Sequence, residues 1–129
     1  MQNLQFERAW DKTISEKDRE RINNVFLKTN SSTNRGIQFT PLWQAVNHKS
    51  ELLVTTLIQN FSEQTLIFNN RKLLYFKNNK LIAEHIFSIP NLLVERNTSI
   101  PWTFIFPVNS VLQQADLLNG YIEMDGKNN

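Results

Sequence analysis

The sequence predicts an all-β fold: an immunoglobulin-like antiparallel β-sandwich of about seven strands with one N-terminal amphipathic helix. Three observations predict it. After residue 36, apolar residues recur in short runs with the two-residue period of strands. Turn residues separate these runs at the spacing of a sandwich. No connection after residue 36 is long enough for the repeated helical crossovers of a parallel sheet. With 129 residues, 40% of them apolar and 20% charged, the chain is one domain in size and long enough to bury a single core. The expected organisation is an arm and helix over residues 1–35, a sandwich over 36–125 and a tail over 126–129.

In the first fourteen residues, Leu4, Phe6 and Trp10 stand among polar neighbours. Phe6 and Trp10 are four apart and would share one face of a short helix. An extended arm packing its aromatics onto the body is the alternative. Ser15 to Thr29 is the clearest helix. Ser15 is a good N-cap, and Asp18, three residues on, completes an acidic variant of the capping box. Glu16 and Asp18 suit the positive end of the helix dipole and Lys28 the negative end. Ile22, Val25, Phe26 and Thr29 share one face. So narrow a stripe fits a helix lying on the surface of something else. The polar stretch Asn30–Gly36 reads as a linker.

The body begins with the stretch that organises it, GIQFTPLWQAVNHKSELLVTTLIQNF, from Gly36 to Phe61. It reads as two extended segments around a turn at Asn47–Ser50. Pro41 marks the first segment as an edge strand or a bulge, because proline cannot donate to a ladder. The second segment, Leu52 to Gln59, is apolar or β-branched through Ile58, with Leu52, Val54, Thr56 and Ile58 as its main core face. Leu66–Asn69 and Lys72–Phe76 form a third, bulged strand. Asn78-Asn79 is a hairpin turn. Leu81–Ser88 follows, with Leu81, Ala83, His85 and Phe87 on one face, and Pro90 breaks the run. Leu92–Val94 is a short strand and Arg96–Ser99 a turn. IPWTFIFP, with Trp102, Phe104 and Phe106 in alternation, reads as a central strand covered on both faces. Val108–Ala115 is read as one or two helical turns, Gly120–Met124 as the last strand, and the residues from Asp125 as a frayed tail.

Composition narrows the function. The net charge is +2 and the pI of 9.0 reflects a slight Lys/Arg excess, not a basic patch, so nucleic acid is not an expected partner. The absence of cysteine removes disulfides and thiolate chemistry and fits a reducing cytoplasm. No run approaches ~18 apolar residues, so no membrane span is expected, and no secretory signal is visible at the N-terminus. The expected location is therefore the cytoplasm. His48 and His85 are the only histidines, and no ligand-spaced cluster surrounds them, so no metal is expected. The carboxylates are dispersed, no Gly-rich phosphate loop or nucleophile motif occurs, and neither enzyme activity, cofactor nor small-molecule substrate is expected.

The body also resembles a known family, the SLAP domain of Bacillus-type firmicutes, named after the S-layer assembly protein of the accessory Sec system. The resemblance covers most of residues 10–124 and is carried by WDKTISEKDRE, GIQFTPLWQAVNHKSELLVTTLIQNF, LIAEHIF and SIPWTFIFP. It implies a small β-rich domain, no known catalytic residues and, for the namesake, an association with export or assembly of surface-layer proteins.

The expected role is a non-catalytic interaction module that binds another protein or itself. Its candidate surface is Pro41 and Trp43 on the edge strand, with Ile22, Val25 and Phe26 on the helix. The mechanism expected is burial of a modest apolar patch with main-chain pairing along the edge. The alternative is an exported cell-envelope module binding wall glycan, for which Trp43, Trp102, Tyr75 and Tyr121 are candidate platform aromatics.

Overall fold

The computed structural model describes residues 2–31, 34–113 and 120–125. Among these, seven strands form two sheets. The first holds β1 (Asn3–Leu4), β2 (Ile37–Val46), β3 (Leu52–Asn60) and β6 (Thr98–Phe106) in the order β1-β6-β3-β2. The second holds β4 (Leu66–Lys77), β5 (Lys80–Val94) and β7 (Gly120–Met124) in the order β5-β4-β7. Two helices, α1 (Arg8–Thr13) and α2 (Glu16–Thr29), precede β2.

β3 is the centre of the architecture. It lies between β2 and β6, antiparallel to both. Leu52, Val54 and Ile58 enter the core between the sheets, with Phe68, Tyr75, Phe87, Phe104 and Phe106. The aromatic rings interlock: Phe87 meets Phe104 and Phe106 edge-on, both at 5.2 Å, and Phe68 meets Phe104 at 5.5 Å. Such offset and edge-on contacts suit the ring quadrupoles. The opposite face of β3 is covered too. Leu57 packs with Leu42 of β2 beneath Ile22 and Phe26 of α2. Burial on both faces is why β3 reads as a continuous apolar run instead of alternating.

The helix forms where expected. The Ser15 hydroxyl accepts the Asp18 amide at 3.1 Å and caps the first turn. Ile22 and Phe26 are buried against the sheet, while Val25 and Thr29 are half-buried at the seam. Ile22 and Phe26, expected to face a partner, are thus consumed within the chain. The described residues hold a second α-helix, Arg8–Thr13, with Trp10 packed against the same cluster.

Other expectations shift in register. β4 is bulged as predicted, between Phe68 and Arg71. Asn78 and Asn79 form the hairpin turn, both with positive φ, 51° and 63°. β5 runs on through Pro90, because it lies at a sheet edge where a missing N–H is tolerated. The bulge at the start of β5 lets both Ile82 and Ala83 be buried, and His85 is half-buried with its ring edge-on to Phe87 at 4.9 Å. On β6 the second face is not covered throughout, for Ile105 is 47% exposed. Val108–Ser110 is a 3₁₀ turn. Beyond it, Val111 bridges to Ala83 and the Leu112 amide donates to the Ile82 carbonyl. The end of the predicted helical stretch, residues 114–115, lies outside the described residues, as does the tail at 126–129.

One pairing was not foreseen. β1 runs parallel to β6, matching Asn3 with Thr98 and Leu4 with Ser99. Gln2, just before it, is buried. Its side chain donates to the Asn60 carbonyl at 2.9 Å and accepts from the Ser99 hydroxyl at 2.7 Å. The arm is therefore stitched into the body's first sheet.

Candidate functional site

α1 and α2 cover only part of the outer face of the first sheet. The register of β2, β3 and β6 shows where cover ends. Leu57 is under α2. Two residues back along β3, Thr55 pairs with Trp43 and Thr103, its hydroxyl 2.7 Å from that of Thr103. Two further back, Leu53 pairs with Ala45 on one side and Ile105 on the other. Strand alternation places this last row on the helix-bearing face. Ala45 and Ile105 are exposed and Leu53 is half-buried.

Between the helices and Trp43 lies a hollow of about 460 Å³ lined by Trp10, Ile14, Asp18 and Trp43 among others. Trp43 is half-buried. The Arg21 guanidinium lies 5.0 Å from the Trp43 ring centre and donates to the Leu42 carbonyl at 3.0 Å, so one indole face is already stacked. Asp18 has no side-chain partner among the described residues and stands at the hollow's rim. Trp10, Ile14 and Trp43 thus form an apolar hollow with one carboxylate beside it, and Leu53 and Ile105 stand one row further along the same sheet face.

Pro41 is exposed on β2, the outermost strand of its sheet. The ladder to β3 slips between Pro41 and Trp43. A bulge and a proline in mid-strand are devices that blunt an edge against pairing. The edge location agrees with the sequence, but main-chain pairing along its length does not agree with this geometry. Of the five sequence candidates, Trp43 belongs to the surface and Pro41 flanks it. Val25 lies at the helix–sheet seam, and Ile22 and Phe26 lie beneath it. Sequence reasoning missed Leu53 and Ile105 because each alternates correctly for a covered strand. Only the length of the helices relative to the sheet exposes them.

Among the described residues, no three His, Cys, Asp or Glu side chains converge as a metal site, and no helix is long and apolar enough to cross a membrane. No curated protein and no solved structure matches the chain. A family model described as SLAP domain matches residues 4–121, from β1 into β7. With nearly the whole fold inside the match, the chain belongs to the SLAP domain family, whose name ties it to accessory Sec export and surface-layer assembly.

Proposed function

We propose that this chain is a non-catalytic protein-interaction module of the cytoplasm, and that it contacts its partner through Trp10, Ile14, Trp43, Leu53 and Ile105. The observation that supports this reading is the apolar row Ala45–Leu53–Ile105, left uncovered beside the two-tryptophan hollow. Exposed apolar side chains in a contiguous group mark contact surfaces more often than scattered ones do. The contact is made by side chains, since Pro41 and the bulge interrupt the edge. The hollow takes one apolar side chain, and Asp18 at its rim favours a Lys or Arg next to it on the partner. Burial of such an anchor is worth about 2 kcal/mol or more in a contact of this kind.

Ile105→Glu is the informative variant, because Ile105 is 47% exposed and its change leaves the core intact. Captured from native cytosol and quantified against the wild-type chain, a partner should fall by about tenfold or more, with the melting temperature little altered. A partner held equally well by Ile105→Glu and Trp43→Ala would rule this surface out. Self-association lost in the same variants would identify the partner as a second copy. Recovery of the protein only from the wall fraction would count against the cytoplasmic part of the reading.

A further inference from the structure

At the other end of β3 the chain carries a polar cleft of about 450 Å³. It opens between the C-terminal end of α2, the turn after β3 and the turn before β6. Its base is rigid. Gln2 lines it and is 6% exposed, and its side-chain amide is held by Asn60 and Ser99. Its backbone amide donates to the Asn30 side chain at 3.3 Å. The Asn97 amide donates to the Asn60 carbonyl at 2.9 Å, which fixes the far wall.

The lining is chemically uneven. Phe61, half-buried, is its one aromatic side chain. Asn30 and Asn97 present amides, while Arg35 and Arg96 bring guanidinium groups and Glu63 one carboxylate. Arg96 and Glu63 are exposed and form no ion pair with each other or with any other described residue. Among the described lining residues the cleft therefore has an excess of one positive charge, with Arg96 and Glu63 each lacking an ion-pair partner.

An apolar ligand would leave those groups desolvated without partners. A hydroxyl both donates and accepts, and so does a carboxamide. Phe61, half-buried in the lining, supplies a ring on which the C–H face of a pyranose can pack. Guanidinium groups bind a carboxylate through paired N–H donors. The volume lies within the range of small-ligand sites, roughly 300–1,000 Å³. We propose that this cleft binds a glycan unit bearing a carboxylate, with Phe61 as stacking face and Arg96 as carboxylate partner. The proposal rests on the cleft alone and stands or falls apart from the protein-contact surface, which Arg96 does not touch.

The test is a titration of the full isotope-labelled chain with D-glucuronic acid, glucose and inorganic phosphate, followed by backbone amide shifts. Glucuronic acid should shift Phe61, Ser62 and Asn97 saturably, with a dissociation constant of roughly 1 mM. Glucose should bind more weakly at the same amides. Arg96→Gln should weaken glucuronic acid about tenfold with the melting temperature unchanged, and Arg96→Lys should restore part of the loss. Absence of saturable shifts at these amides overturns the proposal. So does glucuronic acid binding that is indifferent to Arg96→Gln. Phosphate binding as tightly as glucuronic acid would show a simple anion site and would equally overturn it.

Discussion

Asn60 is fully buried where β3 ends. Its side-chain nitrogen donates to the Gln64 and Val94 carbonyls, each at 2.8 Å, and its oxygen accepts the Ser62 amide at 2.9 Å and hydroxyl at 2.6 Å. Both donors and both lone pairs are used, the full capacity of a carboxamide. One residue thus closes the β3–β4 turn and ties it to the end of β5. Asn60→Ala should cost about 1–3 kcal/mol in urea unfolding, because it strands the buried Val94 carbonyl and releases the turn at Ser62 and Gln64. Asn60→Asp should cost as much, since it keeps the acceptors but loses both donors. Tyr75 presents the opposite case. It is 1% exposed, and its hydroxyl has no hydrogen-bond partner among the described residues. That hydroxyl sits against Gly120, where a Cβ would collide with it. Gly120→Ala should therefore lower stability by more than about 2 kcal/mol, a local overpacking effect. Burial raises the Tyr75 pKa above 10.0. The unfolded tyrosine then releases its proton first as pH rises, so stability is full below about pH 10 and falls above it. Tyr75→Phe should flatten that alkaline loss, and, by removing an unsatisfied hydroxyl, should not destabilise the protein at neutral pH.

At the scale of elements, what was legible in the sequence follows from what is local. The cap at Ser15, the stripe of α2, the Asn78-Asn79 turn and the bulge of β4 depend on neighbours a few residues apart, and each stands where the sequence places it. The Leu52–Ile58 core face was legible because β3 has no bulge along its pairing with β6. Two kinds of feature were not. Pro90 looks like a strand breaker until β5 is known to be an edge. Ile22 and Phe26 look like a contact stripe until Leu57, thirty-odd residues on, is known to lie beneath them. A helix stripe states that something covers it, but not whether the cover is in the same chain. Ile22→Ala separates the two roles. Ile22 is 0% exposed, so the change should cost about 2–5 kcal/mol in equilibrium unfolding and leave partner capture by the residual folded protein intact. A loss of capture without loss of stability would restore Ile22 to the contact surface.

At the scale of the whole molecule, β3 works as a spacer. Its nine residues span about 27 Å at strand rise, with the apolar surface at the Leu52 end and the polar cleft at the Asn60 end. Substitutions at Ile105 and Arg96 are far enough apart to add independently, so a double variant should lose both properties and gain no further defect. The pairing of β1 with β6 bears on the order in which this arrangement is reached. The Gln2–Ser99 hydrogen bond joins residues 97 apart. Contacts of such separation form late and slow the search for the native state. The arm cannot close onto its partner strand until Thr98 and Ser99 have been synthesised, so its docking is expected to follow the assembly of β3 with β6. Gln2→Ala should accordingly speed unfolding in stopped-flow measurements while leaving the refolding rate unchanged. A two-residue strand joined last should also open first, which would make these residues the natural entry point for anything that must pull this domain apart.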